Sequence, residues 1–480
     1  MGKKIPKSWT SVKLNQLGEV ISGSGFPKKY QGKTEGKYPF FKVGDISKAF
    51  VNNDVYSENS ENYVDEEEVK LIKGKVLPAN SVVFAKIGEA LKLNRRIILS
   101  KDSLVDNNAL GIKTNEDIYL HKLLYYFLKN FNLAELSSGN TVPSVRKGVI
   151  EEIEIPHPTL AEQERIVAKL DDLFGRLDKI KASLSKIPQL LQNFRQQVLT
   201  QAVTGKLTKE WREEKSNWNK ATIKELSQKI FDGPFGSKLK TADYTSSGIQ
   251  VVRLENIKRL SFDTSKQSFI SREKYEELKG NTLKKGDIIF ASFVGDEVRA
   301  TLLPELNTPA INKADCFCIR LDQEKIDKHF CVYVLLSNEG KDQITKLAHG
   351  ITRPRINLTQ LRSINIPLPS LKEQQEIVNR VESLFNKADI IQDKYEFLKA
   401  KVEQLPQAIL HKAFKGELVP QLDSDGDAME VLRQIEGLKA ESLLKKASGR
   451  RKAIKDFGKE YTLDQENQLK VAEEKETYKE

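Results

Sequence analysis

Along two stretches of the chain the apolar positions advance by alternating steps of four and three residues. After Leu160 the series is Ile166, Leu170, Leu173, Leu177, Ile180, Leu184, Ile187 and Leu191. The second runs Ile377, Val381, Leu384, Ala388, Ile391, Tyr395, Leu398, Val402 and Leu405, with Lys, Glu, Gln and Asp largely filling the positions between. This spacing predicts two long helices, each carrying a coiled-coil seam that needs a partner. Ser or Thr followed by Glu three residues later, Thr159 to Glu162 and Ser370 to Glu373, predicts a capping-box start just after Pro158 and Pro369. Pro188 and Pro406 predict a break or kink in each helical pattern, followed by short helices that end before Gly205 and Gly416.

The two helices belong to a duplicated module. Ile155 to Val167 (IPHPTLAEQERIV) returns as Ile366 to Val378 (IPLPSLKEQQEIV), 211 residues later. The same offset pairs Gly139 with Gly350, Thr141 with Thr352, Pro143 with Pro354 and Gly205 with Gly416, and a weaker echo near offset 209 pairs Trp9 with Trp218. The order is therefore globular, helical, globular, helical: 1–154, 155–216, 217–365 and 366–425, followed by a charged tail, 426–480. The globular parts mix short apolar runs (Ser81 to Ile87, Asp287 to Phe293) with turn residues and one helix each (Tyr119 to Asn130, Lys328 to Ser337). The expected fold class is α+β: two mixed α/β domains separated by two long helices forming an antiparallel coiled coil, with an internal pseudo-twofold repeat. Homodimerisation through the heptads is the competing arrangement; two similar helices in one chain favour pairing within it.

Composition narrows the partner. At 480 residues the chain needs several structural units, and 39% hydrophobic with 30% charged residues suits long solvated helices flanking globular parts. The net charge of +11 calls for an anionic partner, nucleic acid or an acidic membrane surface. From Gly426 to Glu480 there are 12 Lys/Arg and 12 Asp/Glu, a net of 12 − 12 = 0, so the excess lies upstream. For the tail, disorder and partner contact both stay open, with Arg450, Arg451 and Lys452 able to touch phosphate. No apolar run approaches the roughly 18 residues of a membrane span, and Met1 to Ser8 leads into no hydrophobic segment. Three cysteines, all between Cys316 and Cys331, fit a reducing compartment. A soluble, cytoplasmic protein is expected.

Catalytic motifs are missing from the sequence. There is no G-x-x-x-x-G-K-[ST] phosphate loop, and no methyl-donor loop coupled to an Asn/Asp-Pro-Pro-aromatic motif; Asp232-Gly233-Pro234-Phe235 comes nearest and has the wrong second residue. Cys316, Cys318, His329 and Cys331 could be drawn as a zinc site, but the repeat sets Ala109, Gly111, His121 and Leu123 opposite them, which reads as packing. No catalytic residue and no metal site is assigned.

The polar loop with Gly139, Thr141 and Pro143, or Gly350, Thr352 and Pro354, then Ile-x-Ile-Pro-x-Pro-x-Leu-x-Glu-Gln and a long helix, resembles the specificity (HsdS) subunit of type I restriction-modification systems over about residues 1 to 425. The resemblance implies that 1–154 and 217–365 are target recognition domains, each reading half of a split, asymmetric site in double-stranded DNA. It implies that the helices form a spacer and dock two methyltransferase (HsdM) subunits for adenine-N6 methylation, with two restriction (HsdR) subunits for ATP-dependent cleavage. S-adenosylmethionine, ATP and Mg would then belong to those partners, and this chain would bind no cofactor and catalyse nothing itself. A segment from Leu160 to Ile187 would span about 40 Å, close to one turn of duplex DNA, as a spacer requires.

Basic residues near Gly/Ser-rich turns are the first candidates for DNA contact, Lys28, Lys29 and Lys33 after SGSGF and Lys238 and Lys240 after DGPFGS; further candidates are Arg95, Arg96, Arg146 and Lys147 in the first domain, and Arg253, Lys258, Arg259, Arg299, Arg353 and Arg355 in the second. Phosphate contact is their natural first role, and solvated surface charge is the alternative for each. The rival for the whole chain is a coiled-coil scaffold without sequence-specific DNA binding.

Overall fold

The computed structural model describes residues 5–137, 142–212, 218–295 and 297–430, together with Leu432, Arg433 and Gly437. Gly139, Thr141 and the basic run at Arg450 lie outside the described residues. The chain forms two compact units that cut across the linear order: unit 1 is 1–180 with 401–480, and unit 2 is 181–400. Each unit thus holds one globular domain, the opening of the helical segment that follows it, and the closing stretch of the other.

Unit 1 is built on a five-stranded sheet of β1 (Gly18–Ser22), β2 (Tyr56–Ser57), β3 (Val82–Ala85), β4 (Arg96–Leu99) and β5 (Ala109–Thr114), in the order β1-β5-β3-β4-β2. Unit 2 repeats the plan with β6 (Ser227–Phe231), β7 (Ile288–Ala291), β8 (Ala300–Leu302) and β9 (Cys316–Leu321), in the order β6-β9-β7-β8. Side chains alternate across a strand, and both faces of each sheet are covered. Val82 and Phe84 face one core with α1 (His121–Asn130), while Val83 faces a second core with Phe41 and Ile46. In unit 2, Ile288 and Phe290 face the core that holds α4 (Lys328–Leu336), whereas Ile289 and Ala291 face the other. The cysteines obey the same alternation. Cys316 and Cys318 lie on one face of the sheet and Cys331 in the core on the opposite face, so they do not form one ligand set. Burial pushes the Cys331 thiol up to about 12, as suits a packing residue.

The helices are α2 (Leu160–Leu184), α3 (Ile187–Val203) and α5 (Leu371–Ala413). Pro188 sits in the first turn of α3, where its missing N–H costs no helical bond, and the chain breaks just before it as expected. At Pro406 there is no break and no separate short helix: α5 runs through it. One lost backbone bond is offset there by the flanking burial of Val402, Leu410 and Ala413. Of the seam, Ile166, Leu170, Leu177, Ile377, Val381, Ala388 and Tyr395 are buried; Leu173, Leu184 and Leu384 are half-buried; Ile180, Ile391 and Leu398 are exposed. One heptad position of α5 therefore stays covered through Val402, while the other opens to solvent beyond Leu384. Within unit 1, Ile166 and Leu170 share a core with Leu410, Ala413 and Phe414; within unit 2, Val198 and Leu199 share one with Ile377 and Val381. The start of one helical segment meets the end of the other in each unit, which is the antiparallel sense.

The repeated Glu-Gln pair fixes each domain to its helix. Short antiparallel pairs, Thr10–Lys13 with Glu154–His157 and Asn219–Thr222 with Asn365–Leu368, close each domain beside the helix start. The Trp9 indole donates to the Glu162 carboxylate at 2.7 Å, and Trp218 to Glu373 at 3.1 Å. Gln163 accepts from the Leu120 N–H at 2.9 Å and donates to the Ile118 carbonyl at 2.8 Å; Gln374 accepts from the Asp327 N–H at 2.7 Å. The capping-box expectation is met in its forward half in the second copy, where the Ser370 hydroxyl accepts from the Glu373 N–H at 3.3 Å. The Glu373 carboxylate does not turn back on the cap; it is taken by Trp218, Thr208 and Arg212. Gly205 and Gly416 have φ near +70°, and a Cβ would lie 2.5 Å from the Arg212 guanidinium at Gly205 and 2.2 Å from the Pro6 ring at Gly416, each beside the tryptophan of its own unit.

Candidate nucleic-acid interface

Strand register brings several loops of each unit to one end of its sheet. In unit 1, Ser22 pairs with Leu110, Ala85 with Ala109 and Phe84 with Arg96, so the ends of β1 and β3 lie beside the starts of β4 and β5. Unit 2 matches this with Phe231 opposite Cys318, Ala291 opposite Cys316 and Phe290 opposite Ala300.

Backbone bonds lace these loops together in the same way twice. The Pro143 carbonyl accepts from Gly88 N–H and the Pro354 carbonyl from Val294 N–H, each at 2.9 Å. Val145 N–H reaches the Lys86 carbonyl at 2.9 Å, and Ile356 N–H reaches that of Ser292 at 3.0 Å. The repeated proline loops are thus built onto the same sheet end in both units. In unit 2 the lacing extends further: the Ser292 hydroxyl donates to Asp315 at 3.0 Å, and the Asp315 N–H donates to the Asp232 carboxylate at 3.0 Å.

The candidate cations separate into three groups. Lys28, Lys29, Arg146, Lys238, Lys240, Arg353 and Arg355 are exposed and form no ion pair among the described residues; Arg95 is half-buried and likewise unpaired. They belong to loops, or for Lys28 and Lys29 a single 3-10 turn, at or leading from the sheet end, where a phosphate backbone could be held. A second group is exposed or half-buried but engaged. Lys33 bridges Asp65 at 2.5 Å and Glu68 at 3.0 Å, Lys147 meets Glu151 at 3.4 Å, Arg253 meets Glu255 at 3.7 Å and Lys258 meets Asp263 at 3.9 Å.

The third group is engaged with the surrounding fold, and within it Arg96 corrects the sequence reading. Arg96 is fully buried, donating Nε and Nη2 to the Asn94 carbonyl, and burial lowers its pKa to about 9. It sits in β4 between two packed faces, and the adjacency to Arg95 hid that. Arg259 donates to Gln196 at 2.6 Å and to the Leu336 carbonyl at 2.8 Å, and Arg299 to the Leu254 carbonyl at 3.0 Å. Both are half-buried and hold local structure through hydrogen bonds from one guanidinium nitrogen each. Lys86 and Lys313 were missed. Both lie in loops of the sheet end, and Lys313 donates to the Leu239 carbonyl at 2.9 Å, steadying the turn that carries Lys238 and Lys240. The signal for Lys86 was the apolar run Val82–Ala85, which ends at it; Lys313 had no such marker.

Asp232 is the acid beneath this basic end. Burial pushes its carboxyl up to about 6, reinforced by the Asp315 charge and opposed by the Gly233 and Asp315 N–H groups. Because the folded pKa is raised above the ordinary value near 4, the folded state holds the proton more tightly, and stability falls as pH rises through that window to about 6. Asp232→Asn should remove this component, so the wild-type minus variant difference in melting temperature should drift downward between pH 4 and 7. A difference that is flat with pH would refute the assignment.

Two similar modules on a helical frame, each ending in a cationic loop cluster, define a paired nucleic-acid-recognition architecture. Residues 6–189 and 215–400 match the family described as "Type I restriction modification DNA specificity domain", and the chain belongs to that family, as a type I restriction-modification specificity (HsdS) subunit. It is 28% identical to the EcoBI type I restriction enzyme specificity subunit of Escherichia coli, over 92% of this chain and 95% of that one. Against the EcoDI specificity subunit of Escherichia coli it is 29% identical, covering 93% and 98%. The HsdS crystal structure from Thermoanaerobacter tengcongensis shares the fold, with TM-score 0.59 and 17% identity over 86% of this chain and 98% of that one. A chain from a solved type I R-M system superposes with TM-score 0.62 and 17% identity, covering 87% and 100%.

Proposed function

We propose that the chain selects a bipartite, asymmetric site in double-stranded DNA, unit 1 holding one half-site and unit 2 the other, while the helical segments dock two methyltransferase subunits. The observation that carries this reading is the repetition of one loop-bearing sheet end in both units with different side chains on it: Lys28, Lys29 and Arg146 in one, Lys238, Lys240, Arg353 and Arg355 in the other. A repeated frame presents two readers, and unlike readers select unlike half-sites. The exposed heptad positions Ile391, Leu398 and Leu405 supply apolar surface for protein partners. Adenine-N6 methylation belongs to those partners, and ATP-dependent cleavage to two further restriction subunits. S-adenosylmethionine, ATP and Mg are bound there, this chain contributes specificity without catalysis, and the complex works in the cytoplasm where the DNA is. No described helix is long and apolar enough to cross a membrane.

The test is a genome-wide map of N6-methyladenine in cells carrying this chain and its methyltransferase, against cells lacking this chain. A split asymmetric motif should vanish with the chain, and exchanging residues 1–154 for the corresponding domain of a relative should change one half of the motif alone. Identical maps, with the methyltransferase active and assembled, would replace this reading with a scaffold that does not read DNA.

A further inference from the structure

In the globular part of unit 2, the large apolar side chains left exposed among the described residues are Phe235, 62% exposed, and Ile351, fully exposed. Single exposed apolar residues are ordinary on any surface. Here both fall on loops of the cationic sheet end, and the rest of that domain's described surface has none of comparable size and exposure. Each tip stands on a rigid support. Gly233, two residues before Phe235, passes so close to the neighbouring strand that a Cβ would lie 2.1 Å from the Lys313 carbonyl carbon. The Phe235 carbonyl accepts from the Lys238 and Leu239 N–H groups at 2.9 and 3.1 Å, and Leu239 is buried, which pins the turn. Ile351 heads a hairpin closed by two bonds of 3.0 Å between His349 and Arg355, with Gly350 at φ +99°.

Unit 1 handles the aligned aromatic differently. Phe26 lies four residues after β1, as Phe235 lies four after β6, but its ring is stacked on Phe40 at 3.8 Å. A protein-docking patch would be a continuous apolar area with a polar rim. Two separate apolar tips set among Lys238, Arg353 and Arg355 suit a polyanion whose interior is apolar and stacked, which is duplex DNA.

We propose that unit 2 inserts Phe235 and Ile351 into the base stack of its half-site, so that part of its sequence choice is made by how readily a base step opens. The proposal rests on the reading of unit 2 as the holder of a half-site. Arginines beside the wedge would hold the phosphates while the apolar tip parts the step, favouring flexible pyrimidine–purine steps.

The experiment uses the full chain assembled with its methyltransferase subunits and a duplex containing the methylated motif, with 2-aminopurine placed in turn at each adenine or substitutable position of the unit 2 half-site. Wild-type complex should brighten the probe at one or two steps. Phe235→Ala and Ile351→Ser should each abolish one of these signals and weaken motif binding by about tenfold or more, with Ile351→Leu retaining both. Motif-specific binding with no bright step, and variants that bind like wild type, would overturn insertion while leaving the half-site reading intact. Loss of methyltransferase assembly in the variants, with DNA binding by the remaining complex unchanged, would make the tips a protein contact and equally overturn it. A wild-type complex with no motif preference would bring down both readings together.

Discussion

Glu373→Ala should destabilise unit 2 by about 3–5 kcal/mol, a large part of the roughly 5–15 kcal/mol that holds a typical domain folded. The buried Glu373 carboxylate accepts from the Thr208 hydroxyl at 2.8 Å, from Arg212 Nη2 at 2.6 Å and from the Trp218 indole at 3.1 Å. Removing it leaves a guanidinium, an indole N–H and a hydroxyl without their acceptor, and breaks the tie between α5, the segment after α3 and the start of the domain. Deleting the buried partner of an ion pair costs more than the pair contributes, because the half-buried Arg212 loses its counter-ion and keeps only the Gly205 carbonyl as acceptor among the described residues. Glu162→Ala should cost less: in unit 1 the carboxylate accepts from Trp9 and Gln421 but hydrogen-bonds no cation, and burial raises its pKa. Denaturant unfolding of both variants checks the ranking. Equal losses, or a loss under 1 kcal/mol for Glu373→Ala, would contradict it.

The same residues show what the sequence made legible. The recurrence of Leu-x-Glu-Gln located both helix starts within a residue or two, because a duplicated motif is visible without any knowledge of its contacts. Its purpose was not visible. Thr or Ser three residues ahead suggested a local cap, whereas the glutamate side chain is used over more than 150 residues of sequence to hold Trp9 or Trp218. Periodicity also overstated the seam. It marked Ile180, Ile391 and Leu398 as equivalent to Ile166, Ile377 and Val381, although only the latter three are buried. Hydrophobic spacing reports which positions seek cover and says nothing about whether this chain or another supplies it. Pro406 was judged by its local cost alone, and the packing on either side outweighed that cost.

The basic candidates were the least legible, and one comparison tests their sorting. Arg96 and Arg353 were grouped as arginines beside a second arginine or a proline, although Ile97, Ile98 and Leu99 follow Arg96 directly. Arg96 is sealed inside β4 with Nη1 lacking a hydrogen-bond partner among the described residues, while Arg353 and Arg355 are exposed on the hairpin at the sheet end. The double variant Arg353→Gln, Arg355→Gln should therefore keep the wild-type melting temperature and lose about 1–3 kcal/mol of DNA affinity per arginine that contacts a base edge. Each lost phosphate contact should also lower the slope of log K against log salt by about 1. Arg96→Met should do the reverse. It removes a buried cation that forms no ion pair among the described residues, so stability should hold or rise by about 1–4 kcal/mol, with the salt slope unchanged. The measurement is motif binding by the assembled complex across a salt series, with melting curves beside it. A shallower salt slope for Arg96→Met would place that side chain on the DNA, contrary to the buried position in β4. An unchanged slope for the hairpin variant would remove the Gly350 to Arg355 loop from the interface and leave the turn carrying Lys238 and Lys240 as the main phosphate clamp of unit 2.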